Sequence, residues 1–339
     1  MNGMFVKKIN VIMWFSVVIM AMSSAMLSAA NYSKHPVALK WQQDMIKEGF
    51  SKKFLDGVLK NAKRQDSILK LMNRQAEGTL TWEKYRSRFI ETKRIQNGSK
   101  FWKKHAKALA KAELEFGVPA EVIVSIIGVE TRYGKVTGNY RVLDAIATIG
   151  FDYERRGEFF RNELKDFLLL SKSEKIDYTK PKGSYAGAMG FGQFIPSSFK
   201  NYAIDFDGDG KRDIWKNPVD AIGSVANYFK AHGWKKGEDV LLAANIADER
   251  LKNMPEDWYN DGLAMKVTLG QWNKRDINSA VQLDSAEKAT LMKFVYDDKD
   301  QFMFGLHNFY VITRYNHSRF YAMVVHQLSQ LIKAEHTLG

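Results

Sequence analysis

Four stretches of the 339-residue chain combine side chains that could do chemistry. The first is Gly128-Val-Glu-Thr-Arg-Tyr-Gly134. Glu130 follows Ile126 and Ile127 by four and three residues, which puts it at the rim of an apolar helical face near the helix end. A carboxyl group in that position is desolvated, its pKa rises, and it can act as a general acid near neutral pH. The structural alternative is a rim glutamate paired to Arg132 or another base. The second stretch is Gly183–Ser197, with glycines at 187, 190 and 192. This is G-x-x-G-x-G order, and no strand is expected before it, which speaks against a dinucleotide fingerprint. The glycines would let the backbone approach a ligand, and Ser184 and Gln193 are neutral groups suited to a sugar or an amide.

The third stretch is Asp205-Phe-Asp-Gly-Asp-Gly-Lys-Arg-Asp213. Its alternating carboxylates can converge on one hard cation, and the spacing fits the first half of an EF-hand loop, with glycine in sixth place. Lys216 stands where the twelfth-position glutamate is expected, and Asp220 could close a longer loop. Asp205, Asp207, Asp209, Lys211 and Asp220 form the candidate calcium set, and the ion is expected to be structural. The alternative is a solvated acidic turn. The fourth stretch is Arg314-Tyr-Asn-His-Ser-Arg-Phe-Tyr321. Tyr315, Asn316 and Tyr321 can stack on a sugar ring and read its substituents, unless Asn316 merely caps a helix. No organic cofactor is expected, the seven histidines show no metal-ligand spacing, and there is no G-x-S-x-G elbow.

The elements that must position these groups are mostly helical. Ala38, Trp41, Met45 and Phe50 recur at roughly helical spacing, and residues 36–115 read as helices. Gly117-Val-Pro119 breaks the pattern, with Pro119 placed to open a new helix. Val122, Ile126, Val129 and Tyr133 then predict a helix with one buried face, ending near Gly134. Further helices are expected at 156–171 and 218–232, with loops around a short helix at 182–215. Segments 265–270, 293–296 and 310–313 carry β-branched and aromatic residues, which predicts a small β-rich part before a closing helix at 317–335.

At the start, Lys7 and Lys8, an apolar run from Val11 to Met22 and Ser28-Ala-Ala30 read as a secretory signal over residues 1–30. An uncleaved tether to the inner membrane is the alternative. The chain has 51 Lys+Arg against 38 Asp+Glu. With export, that excess suits the carboxylates of cell-wall peptides or anionic lipid better than nucleic acid, which is not expected as a partner. The absence of cysteine excludes disulfides, thiolate metal sites and a cysteine-linked lipid anchor.

Taken together, these motifs resemble the membrane-bound lytic murein transglycosylase B family. The resemblance is carried by residues 128–134, 187–198, 205–210, Asp220–Trp234 and Thr313–Ser318, and it spans about His35 to Ala334. It implies an α+β, mainly α fold: a lysozyme-like core over 116–236, an α-helical domain from 31–115 and 313–339, and a small antiparallel β domain over 237–312. It implies Glu130 as the single acid/base of a lytic transglycosylase that cuts the MurNAc–GlcNAc bond and leaves 1,6-anhydro ends. A muramidase hydrolysing that bond, or a non-catalytic peptidoglycan-binding scaffold, are the rival readings. By the same resemblance Ser184, Gln193, Tyr228, Tyr315, Asn316 and Tyr321 line a glycan cleft, with Tyr85 and the Arg155-Arg156 pair, and the calcium loop belongs to the family. Asp144, Asp152 and Glu154 leave open a second carboxylate. The implied setting is the periplasm of a Gram-negative bacterium. Peptidoglycan strands are the implied partner, and cell-wall synthases are candidate protein partners. The family's lipid-modified cysteine is missing, and the Asp205–Asp220 loop is one residue longer than the family's usual form.

Overall fold

A computed structural model describes residues 31–73, 80–259, 262–297 and 299–338. The expected signal over 1–30 lies outside the described residues. Among the described residues, no helix is long and apolar enough to cross a membrane.

The fold is mainly helical with one small antiparallel sheet. Helices α1 (Pro36–Lys47), α2 (Lys52–Asn61), α3 (Asp66–Asn73), α4 (Trp82–Arg86), α5 (Thr92–Lys104) and α6 (Ala106–Phe116) fill the first third. Trp41 and Met45 are buried from α1 as the spacing predicted, whereas Phe50 lies beyond the end of that helix. Gly117 in the left-handed conformation ends α6, and Pro119 caps α7 (Ala120–Thr131). The predicted single buried face of α7 proves too small. Every residue from Ala120 to Gly128 is buried, because α7 is the central helix and α5, α6, α11 and α15 pack around it.

After α7 come β1 (Tyr140–Arg141), α8 (Val142–Asp152), α9 (Gly157–Ser173), β2 (Lys182–Gly183), α10 (Pro196–Tyr202) and α11 (Pro218–Ala231). Strands β1 and β2 pair antiparallel, with Tyr140 opposite Gly183 and Arg141 opposite Lys182. The chain then enters β3 (Leu241–Ile246), α12 (Asp248–Lys252), β4 (Val267–Thr268), α13 (Leu269–Asn273), β5 (Ile277–Ser279), β6 (Lys288–Val295) and β7 (Asp300–Gly305). These strands form one antiparallel sheet in the order β4-β6-β7-β3-β5. Helices α14 (His307–Tyr315) and α15 (Arg319–Leu338) close the chain. The predicted strand at Tyr310–Thr313 is helical, within α14. There Val311 and Ile312 are fully buried beside α15, and that packing overrides their β propensity.

Two large apolar clusters meet behind the site. One joins α7 and α11 to α14 and α15 through Ile123, Ile127, Val225 and Val325. The other joins α1 and α2 to α8 and α9 through Trp41, Leu55, Ile146 and Phe167. Tyr315 packs against both. A third, smaller cluster lies on the sheet around Trp272, Leu291 and Phe304.

Candidate active site

Glu130 occupies the last turn of α7. The helix stops there because Arg132 and Tyr133 both turn left-handed, with φ of 51° and 62°. Thr131 locks the stop. Its hydroxyl donates to the Phe191 carbonyl at 2.9 Å and accepts the Gly134 N–H at 3.0 Å. Gly134 has φ of 83°, and a Cβ there would sit 2.1 Å from the Phe191 ring. The glycine therefore lets the 187–194 loop close against the end of α7.

The helix stop leaves Glu130 half-buried among phenols. The Tyr321 hydroxyl, from the first turn of α15, donates to its Oε1 at 2.5 Å. Tyr315, from the end of α14, stacks on Tyr321 with ring centroids 6.5 Å apart and planes 7° apart, and its hydroxyl donates to the Gly192 carbonyl. Tyr228, from α11, meets Tyr315 edge-on at 4.7 Å and donates to the Arg314 carbonyl at 2.5 Å. Burial is the main cause of an upward push on the Glu130 carboxyl, to about 7, and the Tyr321 hydrogen bond opposes it. Burial likewise holds the Tyr315 and Tyr321 hydroxyls well above the usual phenol range and pushes Tyr228 to about 12, so all three stay neutral donors.

The structural pairing of Glu130 with Arg132 does not form: Arg132 lies 3.9 Å from Glu91 instead. Nor do the other acids named from the sequence approach as partners. Asp144 is held by Arg141 at 2.6 Å and by the Lys63 N–H at 2.8 Å. Asp152 takes the Tyr32 hydroxyl at 2.6 Å and Arg64 at 2.9 Å. Glu154 is exposed in a short turn before α9. Glu130 thus stands in a wall of neutral aromatic hydroxyls, with its carboxyl pushed up by burial.

The remaining candidates fall at different distances from this centre. Tyr85 is buried beside Phe320 and is one of the groups that bear on the Tyr321 hydroxyl. Gln193 is left-handed, with φ of 52°, and its amide donates to the carbonyls of Thr137 and Gly190. The Ser184 hydroxyl accepts the N–H groups of Ala186 and Ala188, which shapes the same loop. Asn316 is exposed with extended backbone after α14, and Ser318 rather than Asn316 accepts the Tyr321 N–H at the start of α15. Arg155 and Arg156 are exposed between α8 and α9, where Arg156 lies over the rings of Phe159 and Phe160.

The acidic loop is built as a chelate. Carboxylate oxygens of Asp205, Asp207 and Asp209 lie within 4.8 Å of one another. Asp205 accepts the N–H groups of Gly208, Asp209 and Gly210, which hold its carboxyl below the usual range although its partial desolvation works the other way. A hard donor set of three convergent oxygens fits a calcium ion. Asp220 is not one of the three convergent carboxylates, but it lies close enough to Asp207 to feel its charge. It is fully buried at the start of α11 and braces the loop by accepting the Phe206 and Asp213 N–H groups at 2.8 Å each. Lys211 donates its backbone N–H to Asp209.

The sequence reading did not name Thr131, Phe191 or Asn217. Asn217 caps α11 and donates to Asp207 at 2.7 Å, and its place before Pro218 was the available signal. Thr131 and Phe191 act through contacts that no sequence spacing announces.

The transglycosylase SLT domain family matches residues 33–330. The membrane-bound lytic murein transglycosylase B of Escherichia coli K12 is 44% identical over 319 residues, covering 91% of this chain and 86% of that protein. Among solved structures, the catenated lytic transglycosylase SltB1 of Pseudomonas aeruginosa superposes with a TM-score of 0.86 at 47% identity, over 90% of this chain and all of that one. The Escherichia coli lytic transglycosylase Slt35 in complex with calcium superposes with a TM-score of 0.83 at 43% identity, over 93% of this chain and 98% of that one.

Proposed function

The chain belongs to the transglycosylase SLT domain family and is a lytic transglycosylase of peptidoglycan, a lyase, and we propose that Glu130 is its single acid/base. Protonated Glu130 gives its proton to the oxygen that links N-acetylmuramic acid to N-acetylglucosamine, and the bond from that oxygen to C1 breaks. The resulting carboxylate takes the proton of the muramic acid 6-hydroxyl as O6 closes on C1. The product carries a 1,6-anhydro ring and no water is consumed. Intramolecular attack benefits from high effective molarity. A group required as acid and then as base works best with a pKa near ambient pH, and the raised value of Glu130 meets this.

The observation that carries this reading is the half-buried carboxyl with a phenol donor and, among the described residues, no carboxylate paired with it. Ordinary glycosidases hold two carboxyls across the bond. Here Asp144 is tied up by Arg141 and a backbone N–H, Asp152 by Arg64 and the Tyr32 hydroxyl, and Glu154 lies exposed in the turn before α9. A cation formed at C1 must then lean on the substrate's own N-acetyl group and on neutral walls. Tyr315 and Tyr321 supply those walls, with Tyr228 behind Tyr315, and Ser184, Gln193, Tyr85, Asn316 and the Arg155-Arg156 pair extend the glycan cleft outward.

The Asp205, Asp207 and Asp209 carboxylates would hold a calcium ion, whose contribution is to fix the loop. The setting proposed is the periplasm, with cell-wall synthases as protein partners. Murein digestion followed by mass spectrometry of the sugar ends tests the chemistry. Anhydro ends one water lighter than reducing ends are expected, and Glu130→Gln should abolish turnover while leaving murein binding intact. Reducing ends alone would establish hydrolysis instead.

A further inference from the structure

Three consecutive residues just beyond Glu130 hold left-handed backbone: Arg132 at φ of 51°, Tyr133 at 62° and Gly134 at 83°. Only the glycine adopts this region freely. Arg132 and Tyr133 are strained there, and such strain persists only where the surrounding structure over-determines it. Thr131 secures Gly134 and the glycine-rich loop. A separate arrangement, between α7 and α5, secures Tyr133.

The Tyr133 side chain is buried in a slot that two glycines leave open. A Cβ on Gly128 of α7 would lie 2.6 Å from the Tyr133 hydroxyl, and one on Gly98 of α5 would lie 2.7 Å from it. The hydroxyl donates to the Arg94 carbonyl of α5 at 2.8 Å, and the Phe101 ring, also on α5, has its centroid 5.7 Å from that of Tyr133. The backbone closes the same turn. The Tyr133 N–H donates to the Ile127 carbonyl at 3.2 Å and the Arg132 N–H to the Gly128 carbonyl at 3.1 Å. The residue thus leaves the end of α7, folds back along that helix and is tied to its neighbour. Burial holds the phenol well above its usual range, so it stays a neutral donor.

We propose that Tyr133 is a positioning residue for the reaction: wedged between α5 and α7, it holds the left-handed stop that presents the Glu130 carboxyl to Tyr321 and carries Arg132 away from it. The proposal rests on Glu130 being the acid/base and goes further by naming what keeps that carboxyl in place. The groups around Glu130 show why the stop matters. Tyr321 of α15 and Tyr315 of α14 face it as neutral hydroxyls, with Tyr228 of α11 behind Tyr315 and Tyr85 of α4 bearing on Tyr321. The cations flanking the stop are Arg132 and Arg94, and Glu91 lies 3.9 Å from the first and 3.7 Å from the second. Arg94 is buried, whereas Arg132 is exposed and held in place only by the backbone and Glu91. Relaxing the stop would open Glu130 to water and free Arg132 to approach it, and both changes lower the pKa of a carboxyl.

The test uses the whole protein and Tyr133→Phe, which keeps the ring and removes the bond to Arg94. One readout is a carbon-13 NMR titration of the Glu130 carboxyl, its resonance identified by its loss in Glu130→Gln. The other is kcat and KM on peptidoglycan. The Glu130 midpoint should fall by about one pH unit or more, and kcat about tenfold to a hundredfold, with KM within about twofold of the native value. Loss of the Tyr321 hydroxyl would move the midpoint the other way, so the sign separates the two effects. Gly128→Ala keeps the Tyr133 hydroxyl but fills the slot, and should shift the midpoint in the same direction as Tyr133→Phe. A native midpoint in Tyr133→Phe overturns the proposal, even if the variant is less stable to denaturant or its kcat is lower, because a smaller folded fraction alone would produce both. A native protein whose Glu130 titrates near 7 but which leaves the glycan uncut would refute the catalytic reading instead, and the midpoint in Tyr133→Phe would still decide the wedge.

Discussion

Replacing Glu130 by glutamine should stabilise the folded protein, and only above acidic pH. The folded carboxyl titrates near 7 against an ordinary value of 4.5. A carboxyl raised on folding holds its proton in the folded state at pH values where the unfolded chain has released it. Stability is therefore fully present below the unfolded value and falls as pH rises through the folded one. The interval is about 2.5 pH units at about 1.4 kcal/mol each, or about 3 kcal/mol in all. Solvent at the rim of the half-buried side chain trims the expected loss to about 2–3 kcal/mol. Glutamine keeps an oxygen for the Tyr321 hydroxyl but never ionises. Denaturant unfolding of both proteins at pH 4, 5, 6, 7 and 8.5 gives the difference in stability directly, and other titrating groups cancel in it. The variant should match the native protein at pH 4 and gain steadily until about pH 7, with a plateau above. A flat difference across this range would refute the claim that burial raises Glu130, and so would a variant less stable at pH 8.5.

The Tyr321 hydroxyl bonds the ionised form of Glu130, so Tyr321→Phe should push the carboxyl higher still. A hydrogen bond to a charged group is worth about 1.5–3 kcal/mol, which moves the alkaline limb of kcat/KM upward by about one to two pH units. An unmoved limb would show that this bond does not tune the acid. For the acidic loop, EDTA should lower the melting temperature and excess calcium restore it, because an ion that binds only the folded form adds about 2.7 kcal/mol at a hundredfold excess over its Kd. Asp207→Ala with Asp209→Ala should copy the EDTA effect and remove the response to added calcium. A melting temperature indifferent to chelation would reduce the loop to a turn held by its own N–H groups.

The sequence disclosed those parts of the site whose chemistry is local. Glu130 at the end of an apolar helix, the alternating aspartates and the glycine-rich loop each show in a dozen residues or fewer. What escaped reading depends on distant packing. Helix α8 was missed because Val142–Phe151 is buried all round, so it carries no polar face to set a 3.6-residue period. Helix α14 was misread because Val311 and Ile312 favour strands until the core around α15 claims them. The Tyr228–Tyr315 contact joins α11 to α14, and only the folded helices bring the two rings together. Asp220 is expected as a calcium ligand, and what its position in the sequence does not show is that it also accepts the Phe206 and Asp213 N–H groups.

Keeping Glu130 protonated near neutral pH sets a condition on the whole surface of a protein with formal charge +13. A cation within about 4–6 Å of a carboxyl lowers its pKa by about 1–3 units, enough to cancel the effect of burial. Arg132, only two residues away, is the obvious threat. Its left-handed backbone turns it out of the helix, and Glu91 lies between it and Arg94, 3.9 Å from the one and 3.7 Å from the other. Glu91 thus draws these guanidinium groups toward α5, and the polar neighbours left to Glu130 are the neutral hydroxyls of Tyr321 and Tyr315. The fold thus turns the nearest guanidinium groups away from the place where they would spoil proton transfer. The glycine-rich loop, fixed to Thr131 on one side and Ile214 on the other, holds the end of α7 in the conformation that keeps Arg132 turned away.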